Sequence, residues 1–396
     1  MNTPARFRPV LFLALATLGC LLATPAQADT AHQTLTRNAT LPNGGSVVVE
    51  NLVGQMTVTQ GSGPQVEITA TVVAGGEDQA EADALAKLIR LSVDQSGKQL
   101  KVHVDYPVDQ YDRYAYNPPR KAGDDVEHCL FGFLCGVGNS SLDYQGERVR
   151  VYQGGHQGVP LYVDVDVKVP AGINADVTNH IGFIKLKGTH SDVTLHADSG
   201  DVQINDTSGT LDVDTGSGDV GVADQSGALS IGTGSGDVKV MRVKGNLNLH
   251  TGSGDIFGGK LSGDTLKART GSGDVTLDTV TGALDMRAGS GDLYLRNITS
   301  QGPATLHTGS GDITLSGNLS GMNGFDLHAG SGDITLITDQ PPAVHLDIGT
   351  GSGDISVHWP GVNNATSSDD SFTGDIGAAR ATGRIHTGSG DVTLKH

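Results

Sequence analysis

An aspartate follows Ser-Gly at Asp201, Asp219, Asp237, Asp255, Asp274, Asp292, Asp312, Asp333, Asp354 and Asp391. Carboxylates repeated at such spacing could hold calcium, a hard cation that takes oxygen ligands. Calcium-binding β-rolls, however, use a period about half as long and put one residue between Asp and the next apolar position. Here each Asp abuts the apolar residue, which favours an architectural role. Its carboxylate is expected to accept hydrogen bonds from turn amides while the glycines supply positive φ. No catalytic residue, cofactor site or metal site is assigned on this basis. A cation held along this edge would fall on Asp274, Asp292, Asp312 and Asp333, and calcium is the ion those oxygens suit.

Five residues before each Asp runs a second column: His196, Asp214, Gly232, His250, Arg269, Arg287, His307, His328, Gly349 and His386. Strand alternation turns it outward. Pairing across rungs with acids such as Asp285 and Asp326 accounts for a solvated strip, and His307 and His328 are the imidazoles that could take a metal or an anionic glycan. Thr215, Thr233, Thr251, Thr270, Thr308, Thr350 and Thr387 precede the turn on the inward side, as a hydrogen-bonded ladder would. An ice-binding array needs flat outward rows of Thr. The outward place two after Asp instead mixes Thr276, Thr314 and Thr335 with Gln203, Lys239, Phe257 and Tyr294.

The thiols are Cys20, Cys129 and Cys135. Arg6 and Arg8 precede an apolar run from Val10 to Leu22 and then Ala26-Gln27-Ala28, the pattern of a signal peptide over residues 1–28 with cleavage near Ala28. Export would make a local disulfide between Cys129 and Cys135 the expected state, since zinc wants four ligands and the stretch adds only His128. Gly19-Cys20 offers the alternative of a lipoprotein anchored at Cys20. The formal charge of −18 becomes more negative without the leader, which argues against nucleic acid as a partner. No later run is long enough to span a membrane. The chain, ending on a repeat strand, is expected to carry no barrel or sorting signal of its own.

These residues are positioned by a repeat. The Asp spacings are 18, 18, 18, 19, 18, 20, 21, 21 and 37, and Phe372-Thr373-Gly374-Asp375-Ile376 reads as a degenerate copy inside the last interval. Ile181-Gly182-Phe183-Ile184-Lys185-Leu186 is a second one, before Asp201. Each copy alternates apolar and polar twice, as in Asp274-Val275-Thr276-Leu277 and Ala283-Leu284-Asp285-Met286. Two short strands per copy follow. Stacking would align Val275 with Leu293 and Leu284 with Leu306. The expected fold is all-β: a single-stranded parallel β-solenoid, or β-helix, of about 12 rungs of 18–21 residues, occupying residues 169–396. Residues 29–168 form an N-terminal β region or cap. The spacing of Ala84, Leu85, Leu88 and Ile89 predicts one helix over 77–91, and a Pro, Gly and Tyr-rich insertion covers 107–158.

The Ser-Gly-Asp-Val repeats, the opening Val49-Glu50-Asn51-Leu52-Val53-Gly54-Gln55-Met56-Thr57-Val58, the Val169-Pro170-Ala171-Gly172 bridge and the closing Gly388-Ser389-Gly390-Asp391-Val392-Thr393-Leu394 resemble the bacterial putative-adhesin family of β-strand-repeat proteins, a domain of unknown function. The resemblance covers residues 40–396 and implies an exported solenoid at the cell envelope. It brings no catalytic residues with it. The functional expectation is a non-enzymatic binding, adhesin-like or scaffold module, in the periplasm or at the cell surface, meeting a protein, surface or glycan. A polysaccharide lyase or hydrolase on a similar β-helix is the alternative.

Overall fold

The computed structural model describes residues 29–117, 140–153 and 157–396. The signal segment, Cys20 and the Cys129–Cys135 pair lie outside these residues. The described chain is all-β with one helix. None of its helices is long and apolar enough to cross a membrane.

The N-terminal elements are β1 (Asp29–Thr40), β2 (Ser46–Val53), β3 (Met56–Gln60), β4 (Gln65–Gly76), α1 (Gln79–Ala86), β5 (Arg90–Ser96), β6 (Gln99–Asp105), β7 (Arg113–Tyr116), β8 (Ser140–Tyr144), β9 (Glu147–Gln153), β10 (Leu161–Val169), β11 (Asn174–Ile181) and β12 (Ile184–Lys187). The helix is shorter than the predicted 77–91. Asp78 caps it by accepting the Glu81 N–H at 2.9 Å, and Glu81 reaches back past the cap to accept the Glu77 N–H at 2.7 Å, so the two side chains fix its start. Its end is set by pairing: β5 lies antiparallel to β6 from Arg90 onward. Sheet hydrogen bonds thus override the Leu88 and Ile89 stripe that would have extended the helix.

From β11 onward each rung carries two strands, and each strand pairs in parallel with its counterpart one rung away. The strands that follow Asp form a leading face, and those that precede the next turn form a trailing face. Inward positions such as Val220, Val222, Leu229 and Ile231 are 2 % exposed or less, and full burial of such a side chain is worth roughly 1.5–3 kcal/mol before ordering costs. Between the faces the backbone bends through left-handed residues at Asp206, Asp224, Arg242, Lys260, Thr279 and Asn297, with φ of 53–60°.

The turn between rungs is a packed ladder. A Cβ on Gly236 would stand 1.9 Å from the Gly218 carbonyl oxygen of the preceding rung, so only glycine lets the turns stack. Thr251 bridges two turns: its hydroxyl donates to Gly236 O at 2.9 Å and accepts from Gly254 N at 3.0 Å. Thr233, Thr270 and Thr308 repeat the arrangement. The threonine ladder therefore runs through turn backbone, not from hydroxyl to hydroxyl.

Three registers depart from expectation. Val275 faces Leu293 as predicted, but Leu284 faces Ala304 and Met286 faces Leu306, because the longer connection before Ala304 shifts the register between Gly282 and Leu284. Asp375 is not on a rung. It lies on Ser371–Ile376, a strand antiparallel to both Val344–Thr350 and Val362–Ser367, so that segment is a capping hairpin. Rung order also differs from sequence order. The pair Ala381–Thr387 and Val392–Lys395 lies between Met322–Ala329 with Ile334–Gln340 and Val344–Thr350 with Ile355–Val357. At the other end β2 and β3 sit between β6 with β10 and β11 with β12. A simple succession of about 12 copies is thereby corrected to a stack interleaved at both ends.

Candidate functional site

The aspartates of the turn form one edge of the stack. Asp201 Oδ1 accepts the N–H of Asp219 at 3.0 Å, Asp219 that of Asp237 at 2.8 Å, and the relation continues through Asp255, Asp274, Asp292, Asp312 and Asp333. At the C-terminal end it follows space, not sequence: Asp333 binds the Asp391 amide and Asp391 the Asp354 amide, both at 2.8 Å. One oxygen of each carboxylate up to Asp391 is thus committed to the main chain of the next rung, and Asp354 ends the series. Burial pushes the Asp201 carboxyl up to about 6 and also raises Asp219.

The His/Arg strip lies on the trailing face. His196, Asp214, Gly232, His250, Arg269, Arg287 and His307 are successive register partners. Arg269 and Arg287 both pair with Asp285, at 3.2 and 3.1 Å. Toward the C-terminal end His307, His328 and His386 occupy consecutive rungs. His307 and His328 meet edge to face at 5.8 Å between centroids, and His328 stacks on His386 at 5.5 Å. Among the described residues no group of three or more His, Cys, Asp or Glu is arranged to hold a metal ion.

At the N-terminal end the strip continues into residues that the repeat does not announce. His180 bonds Asp198 at 2.7 Å and Glu50 at 3.0 Å, and Glu50 also meets His103 at 3.2 Å. His196 joins through Asp198 at 3.1 Å. Acid and imidazole thus alternate across rungs. Tyr144, from β8 of the insertion, stacks on His103 at 5.2 Å and meets His180 edge to face at 5.4 Å. The described part of the insertion therefore packs on this end of the strip. Burial pulls His180 down, but its bonds to Asp198 and Glu50 outweigh that and lift it to about 9. Hydrogen bonds from His103 and His180 hold Glu50 far below the usual carboxylate range.

Between these ends the trailing face is hollowed. A shallow groove of about 570 Å³ runs over four rungs, with Asp212, Ser230, Asn248, Lys267 and Arg269 on its floor and wall. Sequence reasoning found only Arg269 of these. Small residues at Thr210 and Ala228, set beside alternating outward polar side chains, were the available signal. Beneath the N-terminal rungs, Asn51 and Asn179 are fully buried register partners. Asn51 Nδ2 donates to Asn179 Oδ1 at 2.9 Å, and Asn179 Nδ2 donates to Gly54 O at 2.8 Å.

A stacked β-rod with repeated outward positions defines a solenoid-like repeat protein. Residues 162–244 and 227–395 match the Toastrack DUF4097 family model, and the chain belongs to that family. Comparison with curated proteins gives no match. Among solved structures the chain is similar to one described as a putative cell adhesion protein from Clostridium sporogenes, at 10 % identity, 92 % of this chain, 99 % of that chain and a TM-score of 0.15. It is also similar to one described as a putative lipid binding protein from Parabacteroides distasonis (12 % identity, 91 and 96 % coverage, TM-score 0.29). A third is described as a putative adhesin from Bacteroides fragilis (10 %, 92 and 96 %, TM-score 0.27).

Proposed function

We propose that the chain is an exported binding module of the cell envelope, adhesin-like or scaffolding in role and non-enzymatic, that presents its repeated outward positions to a glycan, a surface or a protein. The observation that carries this reading is the locked rung. Asp, Thr and Gly fix each turn to the next, so outward side chains stand at regular intervals on rigid strands, a preorganised surface of the kind extended ligands need. The groove over Asp212, Ser230, Asn248 and Lys267 is open and spread across rungs, a shape that fits contact with an extended partner better than enclosure of a reacting bond.

Export rests on Arg6, Arg8 and the apolar run that follows. Mass spectrometry of the mature N-terminus separates a free chain beginning at Asp29 from one lipidated at Cys20. The binding role is tested by applying the purified mature chain to intact cells, envelope polysaccharide and solubilised envelope proteins. Saturable binding that unlabelled chain competes away is the expected result. Absence of saturable binding to all three overturns it.

A further inference from the structure

We infer that the groove on the trailing face binds an uncharged glycan running along the rod axis, one sugar ring to each rung. This rests on the binding-module reading and assigns it a ligand class and the side chains that meet that ligand.

The groove floor is a single column. Asp212 pairs in register with Ser230, Ser230 with Asn248 and Asn248 with Lys267, so one polar side chain stands on each of the four rungs that the groove crosses. Neighbouring strands lie ~4.8 Å apart, which puts the outer two strands roughly 14 Å from each other. A carboxylate, a hydroxyl, a carboxamide and an ammonium make up the column. Among the described residues none of the four is engaged in a hydrogen bond or ion pair with the protein. Neighbouring groups are already taken: Asn246 Oδ1 accepts the Thr265 N–H at 3.1 Å, and Asp285 holds Arg269 and Arg287. Exposed polar groups without a protein partner bond solvent, and a ligand hydroxyl exchanges for that solvent at little ordering cost when the side chains stand on a rigid sheet.

The period of the column selects a sugar polymer. An extended peptide advances about 3.3 Å per residue, so its groups fall out of step with a row of contacts one rung apart. A chain of equatorially linked pyranose rings advances by close to one rung spacing per ring and carries hydroxyls on every ring. Successive rings thus meet successive floor groups in the same way.

The charge pattern excludes ionic polymers. Asp212 lines one end, with Asp214 on the same strand and Asp192 bonded to the Thr210 N–H. Lys267 and Arg269 line the other, with Asp264 next to Thr265 and Asp285 one rung on. His250 lies between, in the outer column. Both signs therefore occur along the groove. A uniformly acidic polymer lays like charge on Asp212 and Asp214, and a uniformly basic one lays it on Lys267 and Arg269. An uncharged polymer meets neither penalty.

The test is calorimetric titration of the full mature chain with cellotetraose, mannotetraose and xylotetraose, with tetragalacturonate and tetraglucosamine as acidic and basic controls, and with an uncharged Ser/Asn octapeptide. At least one neutral tetraose is expected to bind, with an affinity that changes little with salt. The charged tetraoses, the peptide and the matching neutral disaccharide should each bind at least about tenfold more weakly. Thr194, Lys267, Asp285 and Thr305 occupy the same column on other rungs, so Ser230→Ala with Asn248→Ala is compatible with the fold, and unchanged melting checks this. The double variant is expected to lose about tenfold or more in affinity, and Thr314→Ala on the leading face to lose none. The inference is overturned by no binding of any neutral tetraose, by equal or tighter binding of a charged tetraose or the peptide, by an affinity that does not rise from disaccharide to tetraose, or by a double variant no weaker than Thr314→Ala. If the chain binds an envelope component but none of the neutral tetraoses, this inference falls alone. If it binds neither, the binding-module reading falls with it.

Discussion

Asp237 holds the main chain of the next rung: its Oδ1 accepts the N–H of Asp255 at 2.8 Å, and Asp255 holds Asp274 in the same way at 2.8 Å. The repeated motif is thereby explained by what an amide N–H needs and a short carboxylate supplies.

Asn keeps the accepting oxygen and sheds the charge, whereas Ala leaves the Asp255 amide without its partner. Asp237→Asn is therefore expected to be neutral or slightly stabilising, and Asp237→Ala to cost about 1–2 kcal/mol. Thermal melts of the two variants check this. Equal losses would mean that charge, not acceptance, is what the ladder uses.

Gly236→Ala places a methyl 1.9 Å from the Gly218 carbonyl oxygen. Backbone on both sides leaves nothing to swing aside, so the stack must open locally, at a cost of ~3 kcal/mol. Ser235→Ala, one residue away on the outside of the turn, should be close to neutral. A denaturant titration in which the two variants lose equal stability would refute the close-approach account.

The Asp, Gly and Thr columns were legible in the sequence because each repeats one local requirement at one register. What was not legible depends on pairing between distant segments. Asp375 carries the Gly-Asp-Ile pattern, yet the chain reverses there into a hairpin on Val344–Thr350. Leu284 misses Leu306 because the connection around Gln301 is longer than in the preceding rung. Helix α1 stops early because Arg90–Ser96 is claimed by β6. The His180 network joins Glu50 and Asp198, 130 and 18 residues away, and periodicity within the repeats could reach only the nearer one. Asn51 and Asn179 were readable as polar residues in an apolar strand phase, but their mutual pairing was not.

The His180 network makes stability depend on pH. His180 is raised from 6.5 to about 9 in the fold, so its contribution is complete below 6.5 and is lost as pH rises through about 9. Glu50 and Asp198 are lowered from 4.5 and 3.8, so theirs is complete above those values and is lost as pH falls. Asp201, raised to about 6 by burial, opposes them on the acid side: its contribution is complete below 3.8 and is lost as pH rises through 6. The alkaline limb is the cleaner readout. Wild-type Tm is expected to decline between pH 6.5 and 9, and His180→Gln to flatten that decline. An identical decline in the variant would remove His180 as its cause.

Thr279 stands in the left-handed region at φ 60°, a conformation a β-branched residue adopts at a cost. Asn297 holds the same position one rung on, at φ 53°, and Asn tolerates that region. Thr279→Asn is expected to stabilise by about 0.5–1 kcal/mol and Thr279→Gly by a similar amount. A fall in Tm for both would show that the Thr279 hydroxyl, 3.4 Å from Asp278 Oδ1, contributes more than the backbone costs.

The interleaved C-terminal rung makes its own prediction. Residues 381–395 are inserted between two rungs that precede them in sequence, with Ile385, Val392 and Leu394 at most 1 % exposed. Thr387 donates to Gly332 on one side at 2.7 Å, and Thr350 donates to Gly390 on the other at 3.0 Å. Deleting 381–396 therefore unpairs strand edges on both sides, and the rung at Val344–Thr350 loses its support along with its cap. A chain ending at residue 340 loses more residues but exposes one rung face, so it is expected to melt higher than a chain ending at residue 380. A synthetic 381–396 peptide should bind the latter in trans and raise its Tm, since it supplies both missing ladders at once, while a peptide with Ile385→Asp and Leu394→Asp should not. If the two truncated chains melt together and neither responds to the peptide, the segment is a terminal rung after all.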